Sequence, residues 1–250
     1  MAGHSHWANI AHKKSVIDAK RGKLWSKLAK AIILAAKEGG GDPASNLRLR
    51  YAINDAKAVS MPKDNIERAI KKGTGELEGG NIEQALYEGY GPGGVAVLCE
   101  IYTDNRNRTA PEVRKIFELA GGKLGATGCV AWMFDRKGVA RINRDKVDED
   151  ALMELALDAG ADDVRIDGDQ YEVIAEPEAF AAVTAALEAA NISTESTELV
   201  RLPKDTVDVT GEDARRVLKL MEALDDHDDV QSVSANFNIP DEVMAEIEAG

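Results

Sequence analysis

A chain of 250 residues and 26.9 kDa exceeds the usual single domain and predicts two or three. Apolar residues at 44% and charged residues at 30% are those of a globular protein, and the longest apolar runs, 31–36 and 129–134, are six residues, far short of the roughly 18–20 that a membrane span needs. The formal net charge of −13, taken whole, argues against a phosphate-bearing partner.

That charge is divided unevenly. Residues 1–75 carry 15 Lys and Arg against 6 Asp and Glu, a balance of +9, and the remaining 175 residues balance at −22. The N-terminus, Met-Ala-Gly-His-Ser-His-Trp, runs into a lysine-rich segment without the apolar core and cleavage site of a secretory signal, so a cytoplasmic protein without a membrane partner is expected. Cys99 and Cys129 both lie in apolar runs that read as strands, which predicts core thiols in a reducing compartment.

The front of the chain reads as helical. At ~100° per residue over 20–37, Leu24, Leu28, Ala31, Ile32 and Ala35 share one face, and Lys20, Lys23, Lys27, Lys30 and Lys37 lie nearly opposite, with Leu34 among the lysines. Gly39-Gly40-Gly41 ends this helix, Asp42-Pro43 opens a second that runs to about residue 59, and Pro62 opens a third that closes at Lys71-Lys72-Gly73. These three helices form a predicted basic domain over 1–75.

A glycine-rich linker over 73–80 follows, and then two passes of the same element order. The outer pass reads strand 95–102, helix 110–120, strand 129–134, and resumes as strand 206–209, helix 212–224, strand 230–237. Between its halves lie strand 138–142, helix 147–159, strands 163–166 and 170–175, helix 178–190 and strand 194–200. The expected class is α+β: an N-terminal three-helix domain followed by two ferredoxin-like βαββαβ domains, one inserted into the other, spanning 80–135 with 203–240 and 136–202. A single mixed sheet is the alternative.

Two constellations could bind phosphate. The basic segment Lys13, Lys14, Lys20, Arg21, Lys23, Lys27 and Lys30 presents ammonium groups at one-turn spacing, able to track a nucleic-acid backbone through counterion release, and His4, His6 and Trp7 precede it as candidate stacking or phosphate-bonding groups. In the second, Thr109 and Glu112 read as a capping box, which places Asn105, Arg106 and Arg108 in the loop before a helix N-terminus, where amides and guanidinium groups converge. The competing readings are a solvated lysine face and an arginine loop paired with the protein's own acids. Glycines over 89–94 precede a strand and lack Gly-Lys-Ser/Thr, so no cofactor site is expected and a rigid turn displaying tyrosines is the better reading. Asp225-Asp226-His227-Asp228-Asp229 reads as a solvated turn, and no catalytic or metal-binding motif is present, so neither an enzyme nor a metal site is expected.

Met1-Ala-Gly-His-Ser-His-Trp-Ala-Asn, Asp18-Ala-Lys-Arg-Gly-Lys, Gly39-Gly-Gly-Asp-Pro, Tyr87-Glu-Gly-Tyr-Gly-Pro-Gly-Gly and Asp104-Asn-Arg-Asn-Arg-Thr, in this order, resemble the YebC/PmpR family, which includes the mitochondrial translational activator of cytochrome oxidase. The resemblance covers essentially the whole chain. It implies a helical domain followed by two α+β domains, and a regulator of gene expression: a DNA-binding transcriptional regulator or a translation factor acting on ribosomal or transfer RNA at the ribosome. His6 stands where the family pattern has lysine, one permanent charge fewer. Lysines favour backbone over base contacts, which keeps both DNA and RNA open.

Overall fold

A computed structural model describes the backbone over 18–249 and the side chains of 22–240, 242–245 and 247. Three helices come first: α1 Asp18–Gly39, α2 Leu47–Ala58 and α3 Lys63–Gly73. Leu28, Ile32, Ala35 and Ala36 of α1 pack with Leu49, Ala52, Ile53 and Ala56 of α2 and with Ile66 and Ala69 of α3. Leu34, the residue out of phase with the apolar stripe, is also buried, because Ile82 and Tyr102 join the same cluster and α1 is enclosed on more than one side.

The end of α1 falls at the glycines, where Gly40 takes a left-handed φ of +83° and its N–H donates to Ala36 O at 2.9 Å. The start of α2 differs from the sequence reading. Asn46, not Asp42, is the cap: its Oδ1 accepts from Leu49 N at 3.1 Å while its Nδ2 donates to Ala35 O and Gly40 O, both at 2.8 Å. One buried amide thus joins the exit of α1 to the entry of α2.

Two antiparallel four-stranded sheets follow. The inner one is built from β4 Phe134–Asn143, α5 Glu149–Asp158, β5 Asp163–Asp167, β6 Gln170–Ala175, α6 Pro177–Ala189 and β7 Ser196–Pro203, in spatial order β5-β6-β4-β7. That is the ferredoxin-like order. Ala140, Ile142, Tyr171 and Val173 pack against Leu152 of α5 and Phe180, Val183 and Leu187 of α6. A Cβ on Gly138 would lie 2.1 Å from the Phe180 ring, so only glycine lets α6 sit this close to β4.

The outer sheet has order β3-β1-β2-β9, from β1 Glu83–Tyr90, β2 Ala96–Thr103, β3 Lys123–Leu124 and β9 Val230–Ala235. Helices α4 Arg106–Leu119 and α7 Gly211–Asp225 cover one face, with Val113, Phe117, Val217, Leu220 and Leu224 on Val97, Cys99 and Ile101. The short strands β8 Val207–Asp208 and β10 Phe237–Asn238 pair in parallel, and α8 spans Asp241–Ala249.

The spatial order again matches a ferredoxin-like sheet, but the central strand next to β2 is supplied from before it in the chain. Residues 83–90 were expected to lie partly in a turn and 129–134 to form a strand; instead β1 forms a hairpin with β2, and residues 129–133 form a loop ending in a 3-10 turn. Their apolar character has another cause. Val130 and Phe134 pack on Ala96 and Leu98, the face of β2 opposite the helices. The strand β2 is therefore covered on both faces, and Cys99 within it is fully buried, its thiol pushed up to about 12 by burial.

Candidate nucleic-acid interface

His4, His6, Trp7, Lys13 and Lys14 lie outside the described residues, and Lys20 and Arg21 fall in the first turn of α1, where only the backbone is described. The next three lysines of the stripe can be followed atom by atom. They meet the acidic turn after α7. Lys23 Nζ donates to Asp226 O at 3.1 Å, Lys27 Nζ to Asp225 O with Asp225 Oδ1 at 3.5 Å, and Lys30 Nζ to Asp228 O at 2.9 Å and Asp229 Oδ1 at 2.5 Å.

The spacing explains the match. Side chains at i, i+4 and i+7 on α1 rise in a line, and the carbonyls at the end of α7 have no intrahelical partners and carry the negative end of its dipole. The last turn of α7 contains no basic residue of its own. Ammonium groups from α1 supply what that terminus lacks. Burial lowers the pKa of Lys27, and the attraction of Asp225, Asp226 and Asp228 works against that shift.

Asp229 is the centre of the contact. Its side chain is 3% exposed, and its Oδ2 lies 2.6 Å from Thr109 Oγ1, 2.8 Å from Arg108 Nη2 and 3.0 Å from Thr103 Oγ1. Its carbonyl accepts from Tyr102 N at 2.9 Å, and its N–H donates to His227 Nδ1 at 3.1 Å, which leaves His227 Nε2 to face Glu112 at 3.1 Å. Burial opposes ionisation of Asp229, but the hydrogen bonds from Lys30, Thr109 and Arg108 outweigh it and hold the carboxyl well below the usual carboxylate range.

The second constellation thus converges on the first. Asn105 caps α4, its Oδ1 accepting from Arg108 N at 3.2 Å, so the helix begins three residues before the expected Thr109 cap and Arg106 and Arg108 stand in its first turn. Arg108 bridges Asp104 at 3.0 Å and Asp229; Arg106 pairs with Glu83 at 2.7 Å and donates to Gln84 O at 2.9 Å. Thr109, expected at the helix start, instead turns its hydroxyl onto Asp229.

Two buried carboxylates, in different parts of the molecule, escaped the sequence reading. Asp229 was placed in a solvated turn; the complementary spacing of lysines in α1 and aspartates in 225–229 was the available signal. Glu88 gave less warning, sitting among glycines. It is buried, and its carboxylate accepts from Gly128 N at 2.6 Å, Val130 N at 2.8 Å and Ala131 N at 2.7 Å. Burial would raise its pKa, yet these three amides, with Arg201 nearby, lower it. Among the described residues, no cluster of three His, Cys, Asp or Glu is placed to hold a metal, and no helix is long and apolar enough to cross a membrane.

Comparisons with known proteins agree over nearly the whole chain. Residues 5–76 match the model of the TACO1/YebC protein N-terminal domain, and 82–237 that of the TACO1/YebC second and third domain. A relative from Desulfatibacillum aliphaticivorans is 58% identical over 98% of this chain and 100% of its own; one from Rhodopirellula baltica is likewise 58% identical over 98% and 100%. Both are named as probable transcriptional regulatory proteins. A crystal structure of a conserved hypothetical protein from Aquifex aeolicus superposes with a TM-score of 0.87 at 48% identity, covering 96% of this chain and 99% of that one. The chain therefore belongs to the TACO1/YebC family.

Proposed function

We propose that the protein is a non-enzymatic, nucleic-acid-binding regulator of gene expression, acting in transcription as the names of its relatives suggest. The observation that carries the reading is the charge division: +9 over residues 1–75 in a chain of net −13. Nucleic-acid phosphates are the polyanion that such an end of an acidic protein fits best. Because Lys23, Lys27 and Lys30 are engaged by the acidic turn, contact falls to the groups before them: His4, His6, Trp7, Lys13, Lys14, Lys20 and Arg21. The acidic turn then serves to hold α1 in a fixed orientation on the body. The same engagement favours a second reading, a ribosome-associated factor that binds RNA, since it shortens the row of cations α1 can lay along a duplex groove.

The test uses the full chain. Replacing Lys13, Lys14, Lys20 and Arg21 together by alanine should weaken binding to duplex DNA and to a ribosomal RNA fragment with no loss of helical circular dichroism. Unchanged affinity for both would refute this contact surface. Co-sedimentation of the intact protein with ribosomes, lost in the same variant, would decide for the second reading.

A further inference from the structure

A further feature lies on the outer sheet, away from the acidic turn. Trp132 is 67% exposed and Tyr90 41% exposed, an unusual display of aromatic surface. The two side chains are rooted at one atom: Tyr90 Oη and Trp132 Nε1 each donate to Cys129 O at 3.2 Å. The loop that carries Trp132 is fixed from beneath by the buried Glu88 carboxylate and its three amide donors. An ionised group is buried here for the sake of a short surface loop, and what that loop presents is an indole in a set position.

The charges around it are also unlike those of the surrounding acidic body. Lys123 stands directly opposite Tyr90 in the β1–β3 pairing, and Lys204 donates its amide N–H to Met133 O at 2.9 Å. Arg136 and Arg201 face each other across β4 and β7, and the buried Glu88 carboxylate lies near Arg201. Asp135 is held by Lys204 at 3.3 Å, and Lys123 and Arg136 have no carboxylate partner among the described residues.

Exposed aromatic faces flanked by cations are the recurring means of holding single-stranded nucleic acid, rings stacking on bases and cations meeting the phosphates. Resting on the nucleic-acid reading above, we propose that Trp132 and Tyr90 form a stacking platform for an unpaired base, with Lys123, Arg136, Arg201 and Lys204 receiving the adjacent phosphates. The platform adds a second contact, specific for unpaired strands, to the phosphate contacts of the N-terminal end.

Binding of the full-length protein to a short oligouridylate and to a duplex of equal length separates the two ideas. Trp132→Ala should weaken single-strand binding by about five- to a hundredfold, leaving duplex binding and the thermal midpoint as in the wild type. In parallel, in a Trp7→Phe background the oligouridylate should quench tryptophan fluorescence, and adding Trp132→Phe should abolish that quench while keeping most of the affinity. Equal single-strand affinity of wild type and Trp132→Ala, or a quench that persists when Trp132→Phe is added to Trp7→Phe, overturns the platform and leaves the broader function standing. If the wild type binds neither strand nor duplex at low salt, the nucleic-acid reading falls and takes the platform with it.

Discussion

Asp229 shows how one side chain can fix the relation between parts of a chain that lie far apart in sequence. It gathers Lys30 from α1, Arg108 and Thr109 from α4, and Thr103 from β2 around a carboxylate that solvent hardly reaches. Replacement by asparagine keeps the shape but removes the charge, leaving two cations with weaker partners, and should cost about 2–3 kcal/mol in urea unfolding. The pH dependence has a definite sign. The folded carboxyl titrates below its ordinary value of 3.8, so its stabilisation is complete above that pH and is lost as pH falls below it. Wild type and Asp229→Asn should therefore differ in stability at neutral pH and converge in strong acid; a gap that stays constant would remove Asp229 as its source.

Among elements, α1 and α7 were legible separately and their meeting was not. Periodicity places the lysines of α1 on one face and the end of α7 before the aspartates, but periodicity is a property of one element and carries no information on which faces meet. The same limit explains β1, whose weak alternation over 83–90 lies beside a true glycine turn, and 129–134, whose apolar run reflects cover for β2 and not a ladder. The inner sheet was read almost entirely, because its strands and helices are local signals in one order.

Another meeting of elements gives a second test. Asp55 on α2 has its pKa raised to about 6, by burial first and by Glu198 of β7 second. An acid whose folded pKa is raised destabilises the fold as pH climbs from its ordinary 3.8 through that value. Asp55→Asn should thus raise stability at pH ~7.5 by well under about 1 kcal/mol, since the residue is exposed and its charge screened, and by a smaller amount at pH ~5. A gain equal at both values would count against the repulsion.

At the scale of the whole molecule, the two ends carry opposed charge. Part of the positive end is neutralised internally, three lysines of α1 against the 225–229 turn, which sets the orientation of the helical layer on the acidic body. The cations before them are the ones assigned to nucleic acid in the proposed role. The sequence division was readable because charge counting needs no structure; which cations are left over was not, because that depends on contacts between residues some 200 positions apart. The most direct measurement is the affinity of the intact protein for duplex DNA and for a ribosomal RNA fragment across a salt series. The account predicts binding at low salt whose logarithm falls linearly with the logarithm of salt concentration, as counterion release requires; absence of binding at low salt, or an affinity indifferent to salt, would contradict it.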